Sequence, residues 1–290
     1  MNKKINLVLS GGGARGIAHI GVIELLQEKG YEIQSVSGTS MGGLVGGVYA
    51  AQALTPFKEW LINADIKEAI KILDFSLSLP GLIKGEKIMH KIDRMLAVKN
   101  IEDLPLPYTA VSTDLTTDRA VYFQEGNLLE AMRATIAIPT IFTPVIKDKH
   151  ILVDGGLVNN IPINIAKQLN DFPVIAVCVN ADVPVTQKQI QIMKPSEDAE
   201  KEYLSKLEKI QEHIRSKLFK KNLHKKNEIG YSEILDQTIH LMISQISNQI
   251  IATYPPDILI NIPRKICGTF DFLKAEKLIK IGRMAAAEHF

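Results

Sequence analysis

Two spacings of apolar side chains alternate along residues 5–53. Ile5-Asn6-Leu7-Val8-Leu9 is a short apolar run that stops at Ser10-Gly11-Gly12-Gly13, the pattern of a central strand in a parallel sheet. Ile17, Ile20, Ile23 and Leu26 then recur at three-residue steps, which predicts a helix, and Lys29-Gly30 supplies its basic last turn and C-cap. A second apolar stretch, about Ile33–Ser37, leads into Gly38-Thr39-Ser40-Met41-Gly42 and a second helical pattern over about Leu44–Ala53. This βαβα start predicts an α/β fold with a parallel sheet and helices on both faces.

The pattern then becomes less regular. Pro56 suits a helix start, Asp65–Leu73 reads as another helix, and Gly85–Leu96 returns to helix. Phe75–Ile83 between them is apolar with loop punctuation, as expected of a buried connection or of an entrance for an apolar substrate. Tyr108–Thr113 and Ala120–Phe123 read as strands joined by a hairpin turn at 114–119. Leu128–Thr135 is helical and stops before Pro139. Ile151-Leu152-Val153 reads as a buried strand ending in Asp154-Gly155-Gly156, and Pro162 opens a helix to Leu169. Pro173–Val179 is the next strand, Ser232–Ala252 a helix, Ile258–Ile260 a last short strand, and Phe272–Ala287 a closing helix. No repeat or linker divides the chain. One domain over 1–290 is expected, carrying a helical, basic insertion at about 182–250.

That insertion changes the charge picture. Leu204, Leu207, Ile210, Ile214 and Leu218 recur at three- and four-residue steps, an amphipathic helix pattern. Residues 201–230 hold nine Lys/Arg against four Glu, a surplus of five in a chain whose net charge is +2. A basic amphipathic helix of this kind suits an anionic membrane surface, through about 201–226, or a solvated face packed on the core, and the same composition also suits a partly disordered insertion. The whole-chain charge is too small to suggest a nucleic-acid partner. Composition is otherwise that of a globular protein, 46% hydrophobic and 23% charged. Cys178 and Cys267 form no C-x-x-C pair, against structural zinc or a disulfide framework. Ile5–Leu9 is too short for a signal-peptide core, and no run reaches the ~18 apolar residues of a spanning helix. A soluble cytoplasmic protein is expected, with any membrane contact peripheral to the inner face.

The candidate chemistry lies at the strand ends. Gly38-x-Ser40-x-Gly42 between a strand and a helix is the spacing of a nucleophile elbow, where a serine on a sharp turn needs small neighbours two residues away on each side. The following helix aims its N-terminal N–H groups at negative charge developing near Ser40. The alternative is an ordinary glycine-rich turn with a surface serine. Gly11-x-Gly13-x-x-Gly16 also satisfies the dinucleotide fingerprint, but the second strand ends in Ser37-Gly38-Thr39-Ser40 rather than an acidic residue, and Glu32 stands at its wrong end. The glycines fit an oxyanion hole better: Gly11, Gly12 and Gly13 let backbone N–H groups converge beside the elbow. Arg15 adds positive charge at the rim of this loop, either to a ligand or as a solvated side chain. Asp154 follows an apolar strand, where α/β folds place active sites at the carboxyl ends of parallel strands, or caps its own turn. None of the seven histidines occupies a glycine-rich or strand-end loop, and His19 lies in the first helix. A carboxylate base acting directly on the serine therefore fits better than a histidine-containing triad.

Gly11-Gly12-Gly13-Ala14-Arg15-Gly16, Gly38-Thr39-Ser40-Met41-Gly42 and Asp154-Gly155-Gly156 resemble three signature blocks of the patatin-like phospholipase family. Arg133–Pro139 resembles its S-x-A-x-P-type block, with Thr135 where serine is commoner. The blocks occur in family order over about residues 7–160. The stretch Asp257–Ala287 is similar to the bacterial branch, and residues 182–227 match no part of it. The resemblance implies a three-layer α/β/α fold with a mainly parallel central sheet. It implies a Ser40–Asp154 dyad supported by Arg15, Gly16, Gly38, Gly42, Gly155 and Gly156. The expected substrates are lipid or fatty acyl esters, with no metal and no organic cofactor. A non-catalytic lipid-binding module on the same fold is the competing expectation.

Overall fold

The structure is a computed structural model that describes residues 3–64, 83–194 and 231–290. The helices expected at Asp65–Leu73 and within 201–226, and most of the apolar segment Phe75–Ile83, lie outside these residues.

Strand β1 (Lys4–Leu9) is followed by a 3-10 turn at Gly13–Ile17 and helix α1 (Ala18–Glu28). Strand β2 (Glu32–Thr39) leads through Ser40 into α2 (Met41–Ala50), and α3 is Leu54–Asn63. Then come α4 (Glu86–Asp93), β3 (Tyr108–Asp114), β4 (Arg119–Phe123) and α5 (Leu128–Thr135). Strands β5 (Val145–Lys147) and β6 (His150–Asp154) precede α6 (Ile163–Leu169), β7 (Val174–Ala181) and α7 (Gln187–Met193). The described residues end with α8 (Tyr231–Thr253), β8 (Ile258–Pro263) and α9 (Ala275–Ala287).

One sheet runs β5-β6-β3-β2-β1-β7-β8, with β4 paired to β3. The pairs β1–β2, β1–β7, β2–β3 and β7–β8 are parallel, as the apolar runs predict. Side chains alternate across the sheet. Leu7, Leu9, Ile175, Val177, Val179, Ile260 and Ile262 join the large core under α1, α2, α5 and α9. Val8, Val174, Ala176 and Cys178 face the smaller core, with Ile163 and Ala166 of α6 and Ile250 and Ile251 of α8. These two cores make the three α/β/α layers.

One expectation needs correction. Asp154 does not end a parallel strand: β6 runs antiparallel to both β3 and β5. The physical reason is pairing. Strand β3 continues past the end of β2, and β4 occupies its other edge from Ala110 to Asp114. Strand β6 therefore takes the same edge as β2, with Asp154 opposite Ser112 while Thr39 is opposite Val111. The two strand ends meet nearly head to head, and that meeting brings Asp154 to the elbow. The short β5 carries too little pattern to be read in advance; Asp148 and Lys149, both at positive φ, turn it into β6.

The elbow is clamped by close backbone contact. A Cβ on Gly42 would stand 2.2 Å from the Leu9 carbonyl oxygen, and one on Gly38 2.4 Å from the Gly42 carbonyl oxygen. No side chain fits either gap without moving backbone. Gly42→Ala is expected to cost about 3 kcal/mol or more, an overpacking penalty at its upper end, seen as a lowered midpoint in thermal unfolding.

Candidate active site

Ser40 carries the local strain. Its φ of 54° and ψ of −128° lie outside the regions an ordinary serine adopts, a conformation costing about 1–3 kcal/mol that persists only when neighbours impose it. The Ser40 N–H donates to Thr135 Oγ1 at 2.9 Å, and that hydroxyl donates onward to the Val111 carbonyl. Thr39 Oγ1 donates to the Asn159 carbonyl at 2.7 Å, and Tyr108 Oη to the Gly43 carbonyl at 2.7 Å. The turn is thus bonded from both sides, and Ser40 is 5% exposed. Thr135, where serine is commoner, supplies the same hydroxyl acceptor.

Asp154 is held by its own strand and by the loop after α5. Its N–H donates to the Ala137 carbonyl, and its carbonyl accepts from Thr113 Oγ1 at 3.0 Å. Oδ1 accepts the Gly156 N–H at 2.7 Å. Oδ2 is buried and makes no full hydrogen bond among the described residues. Burial pushes the carboxyl up to about 6, and the hydroxyl of Ser40 and the amide of Gly156 partly offset that rise. The hydroxyl is thus near enough to favour the carboxylate but short of full hydrogen-bond geometry. Ser40 and Asp154 line one cavity of about 60 Å³ with Gly12, Gly13, Ile138–Ile141, Leu157, Asn160, Asn180 and Thr269. Ile239, His240 and Ile243 of α8 complete the lining given by the described residues.

The glycine loop meets this cavity through Gly12 and Gly13. The Gly11 N–H is committed to the Asn160 carbonyl at 3.0 Å, which removes it from the donors expected to face an oxyanion. Gly13 has φ +57°, and a Cβ there would collide with Thr269. Arg15 is not at the loop rim: it is 3% exposed. Its Nε donates to Asn180 Oδ1 at 3.0 Å and its Nη1 to the Cys267 carbonyl at 3.1 Å. Asn180 Nδ2 in turn donates to the Gly11 carbonyl at 2.7 Å. Arg15 therefore braces the loop from within. Gly16 packs on Met41, Gly155 on the Val111 carbonyl, and Gly156 beside Asp154 Oδ1, so all three are spacers. His19 is buried, bonded by Nε2 to the Ser10 carbonyl, and pushed down to about 4 by desolvation. It is a neutral packing residue outside the cavity lining.

Asn160 and Asn180 were not singled out by the sequence reading. Asn180 had a usable signal, since it ends the apolar run Val174–Val179 at a strand's carboxyl end, where α/β folds gather functional groups. Asn160 had none of that kind. No three His, Cys, Asp or Glu side chains stand together as metal ligands among the described residues.

A family model described as patatin-like phospholipase matches residues 7–167. The chain belongs to the patatin-like phospholipase family. An uncharacterized NTE family protein of Mycobacterium bovis is 32% identical over 98% of this chain and 91% of its own length. Human patatin-like phospholipase domain-containing protein 6 is 36% identical over 61% of this chain and 13% of that protein. Among solved structures, VipD from Legionella pneumophila aligns at 15% identity and a TM-score of 0.49, covering 99% of this chain and 66% of that one. Family membership implies a lipid acyl hydrolase. No helix among the described residues is long and apolar enough to cross a membrane.

The bonding around Ser40 and Asp154 sets two expectations for stability. Thr135→Val leaves the Ser40 N–H buried without its acceptor and is expected to lower unfolding free energy by about 1–3 kcal/mol. Thr135→Ser, which keeps the oxygen, should lose less; urea denaturation of both variants measures the difference. Asp154→Asn is expected to stabilise the fold above pH 6. The carboxyl pKa rises from 3.8 in the unfolded chain to about 6 in the folded one. The folded state thus carries a penalty when the group is charged, about 3 kcal/mol at full strength. That gain should be complete above about pH 6 and vanish below the unfolded value, in thermal unfolding compared at pH 8 and pH 3.5.

Proposed function

We propose that the protein is a serine lipid acyl hydrolase of the phospholipase, lysophospholipase or carboxylesterase kind, working through a Ser40–Asp154 dyad. The observation that carries this reading is the pairing of a strained, buried serine with a buried carboxylate whose Oδ2 makes no full hydrogen bond among the described residues. A turn that serves only to reverse the chain needs neither feature.

In this mechanism ionised Asp154 removes the proton from Ser40 Oγ as that oxygen attacks the ester carbonyl. The carbonyl oxygen becomes an oxyanion near the Gly12 and Gly13 N–H groups, each donor of this kind contributing about 3 kcal/mol to the transition state in a comparable site. The N-terminus of α2 adds a fixed positive potential at the same point. The tetrahedral intermediate collapses, the C–O bond to the leaving alcohol breaks, and Asp154 returns its proton to that oxygen. Water then attacks the acyl-serine with Asp154 again as base, releasing the fatty acid and restoring Ser40. A carboxylate poised near 6 is a stronger base than a solvated one and is still ionised at neutral pH.

Labelling with a fluorescent fluorophosphonate tests the nucleophile. Wild type is expected to label and Ser40→Ala not to; equal labelling of both would sink the dyad. Turnover of a lipid ester is expected to fall by at least about a thousandfold in Asp154→Asn, with the circular dichroism spectrum unchanged. Because the base must be ionised, kcat/KM should decline as pH drops through about 6. A profile flat from pH 8 to 5 would assign the proton transfer elsewhere.

A further inference from the structure

Helix α8 has two unlike faces, and the reading of the site as a lipid ester hydrolase gives both a use. Inward, Ile239, His240 and Ile243 wall the cavity that holds Ser40 and Asp154. Hydrogen bonds on this side include Asn160 Nδ2 donating to Ser247 Oγ at 3.2 Å and His240 Nε2 with Thr269 Oγ1 at 3.4 Å. Outward, Ile234, Leu241 and Met242 are 52%, 59% and 58% exposed. Their spacing of seven and eight residues puts them on one stripe of the helix.

Charge sets this face apart. From Gln237 to Pro256 there is no Asp, Glu, Lys or Arg, although 23% of the chain is charged. A water-facing helix ordinarily gains solubility from charged residues on its outer face. The part of the stripe at Leu241 and Met242, inside this uncharged run, is instead complementary to an uncharged acyl layer, because it enters without desolvating an ion. Attachment is uneven along the helix. Ile250 and Ile251 at the C-terminal end pack on the smaller core. No described side chain from Ile234 to Ile246 is fully buried. The space beside Ser40 is also small: about 60 Å³ compares with roughly 150 Å³ for a cavity that admits one benzene ring. A long acyl chain needs more room beside Ser40 than this, and Ile239 and Ile243 stand in the wall that would yield it.

We propose that α8 is the lid of the active site and that its outer stripe docks on a phospholipid surface. Insertion of Leu241 and Met242 into the acyl boundary draws the N-terminal half of the helix away from the cavity, while Ile250 and Ile251 keep the other end seated. The occupant of the stripe is the lipid layer that also contains the substrate, so docking and access are one event.

The test separates docking from catalysis. In a Ser40→Ala background, which leaves the vesicles uncut, co-sedimentation with neutral phosphatidylcholine vesicles is run at about 0.5 M salt, where the Debye length is only roughly 4 Å and electrostatic attraction is largely screened. Leu241→Glu with Met242→Glu is expected to lower the bound fraction by about tenfold or more. In the otherwise unaltered enzyme, the same pair should lower the ratio of vesicle hydrolysis to hydrolysis of a short monomeric ester by a similar factor. Absence of vesicle binding by the parent, or equal binding by the charged pair, overturns the proposal. So does dissolution of a dimer by the charged pair with vesicle binding unchanged, which would make the stripe a subunit contact. If Ser40-dependent hydrolysis of the monomeric ester is missing, the catalytic reading fails by itself, and the vesicle partition still decides the docking.

Discussion

The site depends on one close contact, the seating of the α2 N-terminus against the end of β1. Gly42 lies so near the Leu9 carbonyl oxygen that no Cβ fits, and Gly38 lies equally close to Gly42. This closeness fixes how sharply the chain turns at Ser40 and so imposes the positive φ on that residue. Packing density inside a core lets small gaps act as rigid constraints, because no neighbour can yield without creating strain elsewhere. The Thr135 hydroxyl then bonds the Ser40 N–H and removes the remaining freedom of the turn. A helix dipole aimed at Ser40 follows from the same geometry rather than from a separate device.

The partner carboxylate reaches this point by a different route. Strand β3 is longer than the overlap it shares with β2, and β6 fills the unused part of the same edge from the opposite direction. Asp154 is therefore delivered by sheet pairing and the serine by a crossover helix. Sheet register makes such a meeting reproducible, since a slip of one residue on β6 would turn the aspartate to the other face. The Arg15–Asn180–Gly11 chain of hydrogen bonds does the corresponding work for the glycine loop. A buried guanidinium without partners would be costly; one bonded to an amide oxygen and a carbonyl holds three loops in fixed relation.

Much of this was legible in the chain before folding was considered. The apolar runs gave strands β1, β2, β3 and β7, and the three-residue steps gave α1, because burial on one side writes a period into sequence. Ser40 and Asp154 were legible because strand-end position and flanking glycines have local causes. The direction of β6 was not, since strand polarity depends on a partner distant in sequence. The Gly11 amide was misassigned for a similar reason: its acceptor is the carbonyl of Asn160, about 150 residues away. Arg15 looked like a rim charge because sequence shows that a residue is cationic, not that Asn180 and the Cys267 carbonyl wait to bury it. Helix α8 was read as a helix, but its place over the cavity arises from tertiary packing that its own residues do not encode.

Dryness links the two halves of the proposed mechanism. The proton affinity of Asp154 is raised chiefly by burial, and part of that burial is the wall that α8 supplies. A lid that swung fully open to water would let the carboxyl relax toward its ordinary value and weaken it as a base. A lid displaced by an acyl layer does not have this effect, because lipid chains replace the helix with another medium of low polarity. The base is then strongest when substrate is present and the nucleophile is shielded from solvent. An uncharged stripe on the outer face and an apolar wall on the inner face are two requirements of that exchange, and the same helix meets both.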